Sequence, residues 1–383
     1  MLRNKDKGIT LIALVITIII LLILAGISIS ALTNQGLFKN AKIAQNATEK
    51  AEKEQGQRLN EYEDEINKYL NNANEDEKIA LITDNINKEL SKTDNTKLKD
   101  EKGNRIVVPA GFKIVDGATT VDKGIVIEDV TETATKGSQF VWVPVGTITK
   151  ADGTTTTITL GRYDFNSTTG VESAYTGTYV EEDSNDSSTL KKYGNTIAKN
   201  ITNFKNSVAQ NGGYYIGRYE ARTATARSAK TDALTQITEK GTENVYNYVT
   251  QLQAAQLSQN MYTSNKFTSD LMNSYAWDTA TVFIQNCGTN AKYSRQNSLN
   301  TSLLQTGTNS LTDTSKIDVQ CNIYDMASNI EEWTTETSYD SDSPCVYRGG
   351  YCISSNVFTS NRSNSYTSGR GNVGFRPLLY VNV

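Results

Sequence analysis

The chain has no histidine among its 383 residues. That removes the side chain most used as a general base near neutral pH. It also removes the Ser-His-Asp triad and every His-ligated zinc or haem site. Proline is scarce, with 4 in the whole chain, and so is cysteine, with 4. The cysteines, Cys287, Cys321, Cys345 and Cys352, all fall in the final third and never form a CxxC pair, which argues against a thiolate metal centre. Three disulfide pairings are open to four cysteines, and unpaired thiols are equally compatible with the spacing. No basic surplus exists: 38 Lys and Arg stand against 42 Asp and Glu, for a net charge of −4, so nothing favours a nucleic-acid partner.

Charge is also missing from one long stretch. Between Gly8 and Phe38 no charged residue occurs, and Ile9 to Leu32 is almost wholly apolar. About 20 such residues cross a bilayer as a helix. Arg3, Lys5 and Lys7 precede the run and predict that residues 1–8 stay cytoplasmic, with the rest of the chain outside. The small residue precedes the apolar core, the reverse of a secretory signal peptide. Lys7-Gly8-Ile9-Thr10-Leu11 resembles the class III leader of type IV prepilins and pseudopilins. The resemblance implies cleavage between Gly8 and Ile9 by a prepilin peptidase, with methylation of the new terminus. It also implies retention of the helix in the membrane, and pilin-like subunits as neighbours in a surface filament. Ala13 stands where most pilins carry glutamate, which points to a minor subunit rather than a major one. An ordinary membrane anchor is the plainer alternative.

Leu59, Tyr62, Ile66 and Tyr69 recur at helical spacing, so the run predicts one transmembrane and stalk helix over residues 9–70. Residues 71–104 are charged and polar and predict a linker, interrupted by a short helix around Glu75–Leu90. A β-rich head is expected over 105–383. Strands are predicted at "RIVVPAGFKIV", "KGIVIEDV", "SQFVWVPVGT" and "GGYYIGRYEA". Helices are predicted at 244–260 and at "NSYAWDTATVFIQNC", with long loops over 146–205. The expected class is α+β: a long N-terminal helix, then an irregular mixed head.

Several segments carry a second resemblance: "FVWVPVG", "YIGRYEA", "YAWDTATVFI", "YDMASNIEEWT", "YRGGY" and "GRGNVGFRPLLYV". Their order resembles that of sulfatase-modifying-factor domains, the formylglycine-generating enzymes and their non-catalytic relatives, over about 140–383. The resemblance implies a C-type-lectin-like fold for the head. The two copper-binding cysteines of the family enzyme would fall on Ser354 and Thr359, neither of which is a thiol, so no oxidase activity is expected. The resemblance also implies Ca²⁺ bound by the side chains of Asp325 and Glu332 with the carbonyls of Ser328 and Ile330. Hard oxygen donors of this kind suit calcium. The competing reading is a turn in which Glu332 pairs with Arg348 or Arg376. In this fold the loops before the final strands form an exposed face, here residues 351–372. Tyr351, Asn356, Phe358, Arg362, Asn364 and Tyr366 are the candidate ligand-binding residues, because Tyr, Asn and Arg serve adaptable recognition surfaces. The function expected is adhesion or recognition of an extracellular glycan or protein. The rival from another class is a structural pseudopilin of a pilus or secretion machine without a ligand of its own.

Overall fold

The computed structural model describes residues 6–34, 42–52, 55 and 79–382, except for 84–85, 89, 116, 118, 182–199, 300–317 and 353–355. The chain divides into two compact units, Met1–Lys78 and Ile79–Val383.

In the first unit, helix α1 spans Asp6–Asn34 and includes Gly8 and Ile9. Residues 42–52 are also helical. Among the described residues no helix is long and apolar enough to cross a membrane. This overturns the transmembrane and stalk helix expected over 9–70, the prepilin-type anchoring, and the single-pass placement in the cell membrane. Residues 59–70, which carry the second half of that pattern, lie outside the described residues.

The second unit is a mixed α/β body of several sheets. Its largest sheet has six antiparallel strands: β1 Phe112–Ile114, β2 Val126–Asp129, β3 Gln139–Pro144, β4 Gly213–Gly217, β5 Phe267–Leu271 and β10 Pro377–Val381. They lie in the order β5-β10-β4-β3-β2-β1. Val, Ile and aromatic residues dominate the central strands, and all five residues of β4 and of β10 are buried. Trp142 on β3 meets Tyr215 on β4 edge-on at 4.9 Å. Each such fully buried aromatic side chain stabilises the fold by about 1.5–3 kcal/mol.

A second sheet has four strands: β6 Glu331–Thr337, β7 Cys345–Arg348, β8 Arg362–Ser365 and β9 Val373–Phe375, ordered β8-β7-β6-β9. The β6–β9 pair is parallel and the others antiparallel, so β8 is an edge. Residues 80–81, 96–99 and 105–108 form a small third sheet. The segment predicted as a linker therefore contributes two strands.

Among the described residues three α-helices pack around these sheets. Helix α2, Ile201–Asn211, is capped by the Asn200 side chain and stopped by Gly212 in the left-handed conformation. Its Phe204 wedges between Tyr214 and Tyr380, at 5.3 and 5.6 Å. Helix α3, Gln251–Gln259, opens with a capping box between Thr250 and Gln253. Helix α4, Ser274–Cys287, is capped by Asn273 and buries nearly its whole length, including Trp277 and Asp278.

Candidate functional site

The motif residues meet in two buried ionic groups. The first lies where α4 faces β6, β7 and β8. Arg348 donates from Nη2 to Asp278 at 2.5 Å, and Arg362 donates to the other oxygen of the same carboxylate at 2.5 Å. Arg362 also donates from Nε to Glu336 at 3.0 Å, and Arg162 pairs with the second Glu336 oxygen. Asp278, Glu336 and Arg348 have fully buried side chains, and that of Arg362 is 8% exposed. Tyr175 lies against the guanidinia of Arg162 and Arg362, at 4.4 and 4.0 Å. Burial disfavours the Arg362 cation, but Asp278 and Glu336 outweigh it and hold its pKa above the ordinary arginine value. Arg362, expected to face a ligand, is thus an internal brace of the edge strand.

The second group surrounds the 325–332 turn. Arg376 forks onto Glu332, with Nη2 to Oε1 at 2.6 Å and Nε to Oε2 at 3.1 Å. Of the two arginines considered from sequence, Arg376 is the partner. Burial disfavours its cation, yet Glu332 holds it charged. Glu220 accepts from Arg222 and Asn329. Asp318 accepts from the Tyr293 hydroxyl at 2.8 Å and the Ala327 amide at 2.9 Å. Asp325 sits at φ 60°, is 1% exposed, and its two carboxylate oxygens have no hydrogen-bond partner. Burial, then the Glu220 and Asp318 carboxylates, push its pKa well above the usual range, which favours the protonated acid.

Of the expected calcium donors Asp325, Ser328, Ile330 and Glu332, the two carboxylates stand differently. Glu332 is already neutralised by a bidentate arginine, whereas both oxygens of Asp325 lack a hydrogen-bond partner. Among the described residues no group of three or more His, Cys, Asp or Glu side chains could hold a metal ion.

The 351–372 face divides in two. Phe358 is half-buried beneath the Arg295 guanidinium at 3.6 Å, with Asn356 exposed two residues away and Tyr351 half-buried. Asn364 and Tyr366 belong to a separate rim along the end of β8. Asn364 accepts from the Tyr179 hydroxyl at 3.2 Å and donates to the Ser343 carbonyl at 3.0 Å. Tyr366 is 52% exposed, and the Arg370 guanidinium lies over its ring at 4.4 Å. Arg370 is itself fixed by donation to the Ser365 hydroxyl at 2.6 Å. Sequence reasoning misses Tyr179, Arg295 and Arg370. Only for Arg370 was there a local signal, four residues beyond Tyr366.

No family model, curated protein or solved structure matches the chain.

All four cysteines are free thiols. Burial pushes Cys287 and Cys345 up to about 12. Thr359 is fully buried, its carbonyl accepting from the Trp277 indole at 3.2 Å, and Ser354 lies outside the described residues.

Proposed function

We propose that residues 79–383 act as a recognition module without an active site, a non-catalytic relative of sulfatase-modifying-factor domains, which binds a glycan or protein through the rim of β8. Tyr366 is the observation that carries the reading. A half-exposed tyrosine stacked under an arginine, on a strand edge locked from behind by buried ion pairs, offers contact area at little ordering cost. The motif residues support the same view. Asp278 and Arg348 come from "YAWDTATVFI" and "YRGGY", Glu332 and Arg376 from "NIEEWT" and "GFRPLLYV", and all four are spent on each other. Residues consumed in this way build a scaffold rather than perform chemistry.

The test is display of the full chain on glycan and protein arrays. Saturable binding that disappears in Tyr366→Ala and in Arg370→Ala, with unchanged unfolding midpoints, is the expected result. Silence across both arrays, or binding indifferent to both variants, would refute the assignment.

A further inference from the structure

A second surface, built from other strands, has a chemistry of its own. A groove of about 650 Å³ runs beside the start of β5, and a lobe of about 270 Å³ adjoins it, with Ala134 and Gln236 lining both. Threonines dominate the walls: Thr131, Thr133 and Thr135 in the larger part, Thr223, Thr235 and Thr238 among those in the smaller.

The hydroxyl protons of these walls point inward. Asp129, 1% exposed, accepts from the Thr131 hydroxyl at 2.5 Å and the Thr131 amide at 2.7 Å on one oxygen. On the other it accepts from the Thr135 hydroxyl at 2.6 Å and the Tyr262 hydroxyl at 3.1 Å. Thr133 lies 3.0 Å from the Thr131 oxygen and 2.8 Å from the Thr135 oxygen. Both neighbours have already given their protons to Asp129, so Thr133 must be the donor, and it has one proton for two acceptors. The smaller lobe repeats the device: the Thr238 hydroxyl donates to Glu243 at 2.6 Å. Lone pairs therefore outnumber protons among the Thr131, Thr133 and Thr135 hydroxyls. Gly111 makes room for the arrangement, because at its φ of 82° a side chain would lie 2.8 Å from the Thr131 methyl.

Of the lysines lining the groove, Lys266 is paired with Asp94 at 2.8 Å and Lys240 with Glu243 at 3.4 Å, and the exposed Lys92 acts on Glu132. An ionic ligand thus has no unpaired counter-charge there among these groups. The half-buried Tyr262 ring is braced by Phe112, Phe140 and Phe267, with centroids 5.7, 6.2 and 5.5 Å away. A wall of hydroxyl acceptors beside a rigid aromatic ring, with an acid close to each lysine, suits a ligand that is neutral, rich in hydroxyl donors and apolar on its ring faces. We infer that the groove binds a neutral oligosaccharide, independently of the β8 rim.

The experiment titrates the full chain with cellohexaose, maltohexaose and chitohexaose at millimolar concentration, followed by calorimetry. At least one is expected to bind. Thr133→Val keeps the shape and removes the hydroxyl, and should weaken that binding by roughly three- to tenfold, the worth of one or two hydrogen bonds. Thr133 is exposed, so the unfolding midpoint should stay at the parent value. Tyr366→Ala should leave the titration unchanged, which separates this site from the rim. Binding of none of the three sugars, binding indifferent to Thr133→Val, binding lost in Tyr366→Ala, or capture of random decapeptides in place of sugars would each overturn the inference.

Discussion

Asp278→Asn should destabilise the protein more than Arg362→Met, although Arg362 touches more partners. The reason is a count of charges. Three guanidinia, Arg162, Arg348 and Arg362, face two fully buried carboxylates, Asp278 and Glu336, with the half-exposed Asp164 3.9 Å from Arg362 and screened by solvent. Asn at 278 leaves three cations against one anion, with Arg348 fully buried. Removing one member of a buried pair costs about 3–5 kcal/mol, because its partner stays desolvated. Met at 362 instead leaves two cations against two anions. It forfeits the donations to Asp278 at 2.5 Å and Glu336 at 3.0 Å, each worth roughly 1.5–3 kcal/mol. Part of that loss returns as relief of repulsion. Burial first and the Arg362 cation second pull the Arg348 pKa down, and the second cause vanishes in the variant. A net cost of about 2–3 kcal/mol is expected for Arg362→Met. Urea denaturation followed by tryptophan fluorescence measures both, since Trp142, Trp277 and Trp333 are fully buried and the Arg348 guanidinium lies 5.7 Å from the Trp277 ring. A reversed order would refute the charge count. Arg362→Met that leaves stability unchanged and abolishes ligand binding would return Arg362 to the surface.

Acidification should stabilise the fold over a defined window. Burial pushes Glu331 from 4.5 to about 7 and Asp318 from 3.8 to about 6. Between its two limits each group keeps in the folded protein a proton that the unfolded chain releases, so the Glu331 contribution is fully present below about 4.5 and lost as pH rises through about 7, and that of Asp318 is fully present below about 3.8 and lost through about 6. Glu331 alone contributes roughly 3 kcal/mol to this slope, and Glu331→Gln should flatten it. A thermal midpoint that rises with pH across the window, or an unchanged slope in the variant, contradicts the assignment. Cys287 and Cys345, held near 12, should not react with an aromatic disulfide reagent at mildly alkaline pH until the chain is unfolded. Labelling of the native protein at either position would show that the burial is wrong. Gly124→Ala should cost roughly 2–4 kcal/mol by denaturation, because at φ 78° its added carbon would lie 1.9 Å from the Cys321 carbonyl oxygen. A midpoint at the parent value would mean that the turn shifts freely.

The strands at 105–108, 126–129, 139–144 and 213–217 were legible because β-branched runs between glycines and prolines have few alternatives. Helix α4 was legible for a similar reason, a long apolar pattern behind an Asn cap. Helix α2 was not. "ITNFKNSVAQN" is polar and sits in a Thr- and Asn-rich tract, and its signals, Asn200 and Gly212, are common turn residues elsewhere in the chain. The predicted helix over 244–260 begins only at Gln251, because Asn244–Val245 pairs as a strand with Arg222–Thr223. The reach of the apolar N-terminal pattern was overestimated: among the described residues no helix is long and apolar enough to cross a membrane.

The site was harder to read for a reason that separates it from the fold. Strand propensity is local, whereas the role of an arginine depends on what lies across from it. Arg362 meets Glu336 at a separation of 26 residues and Asp278 at 84, and Asn364 meets Tyr179 at 185. A Ser-, Asn- and Arg-rich segment looks like a solvated loop until those partners are placed. Once they are, the same four-residue strand divides by role. Arg362 at its start is committed inward, and Asn364 with the adjoining Tyr366 is offered outward. The Thr131–Thr135 segment follows the same logic with hydroxyls, where one buried carboxylate, Asp129, decides which way every proton points. In both places the surface chemistry is set by a buried acid that no solvent-facing ligand would touch.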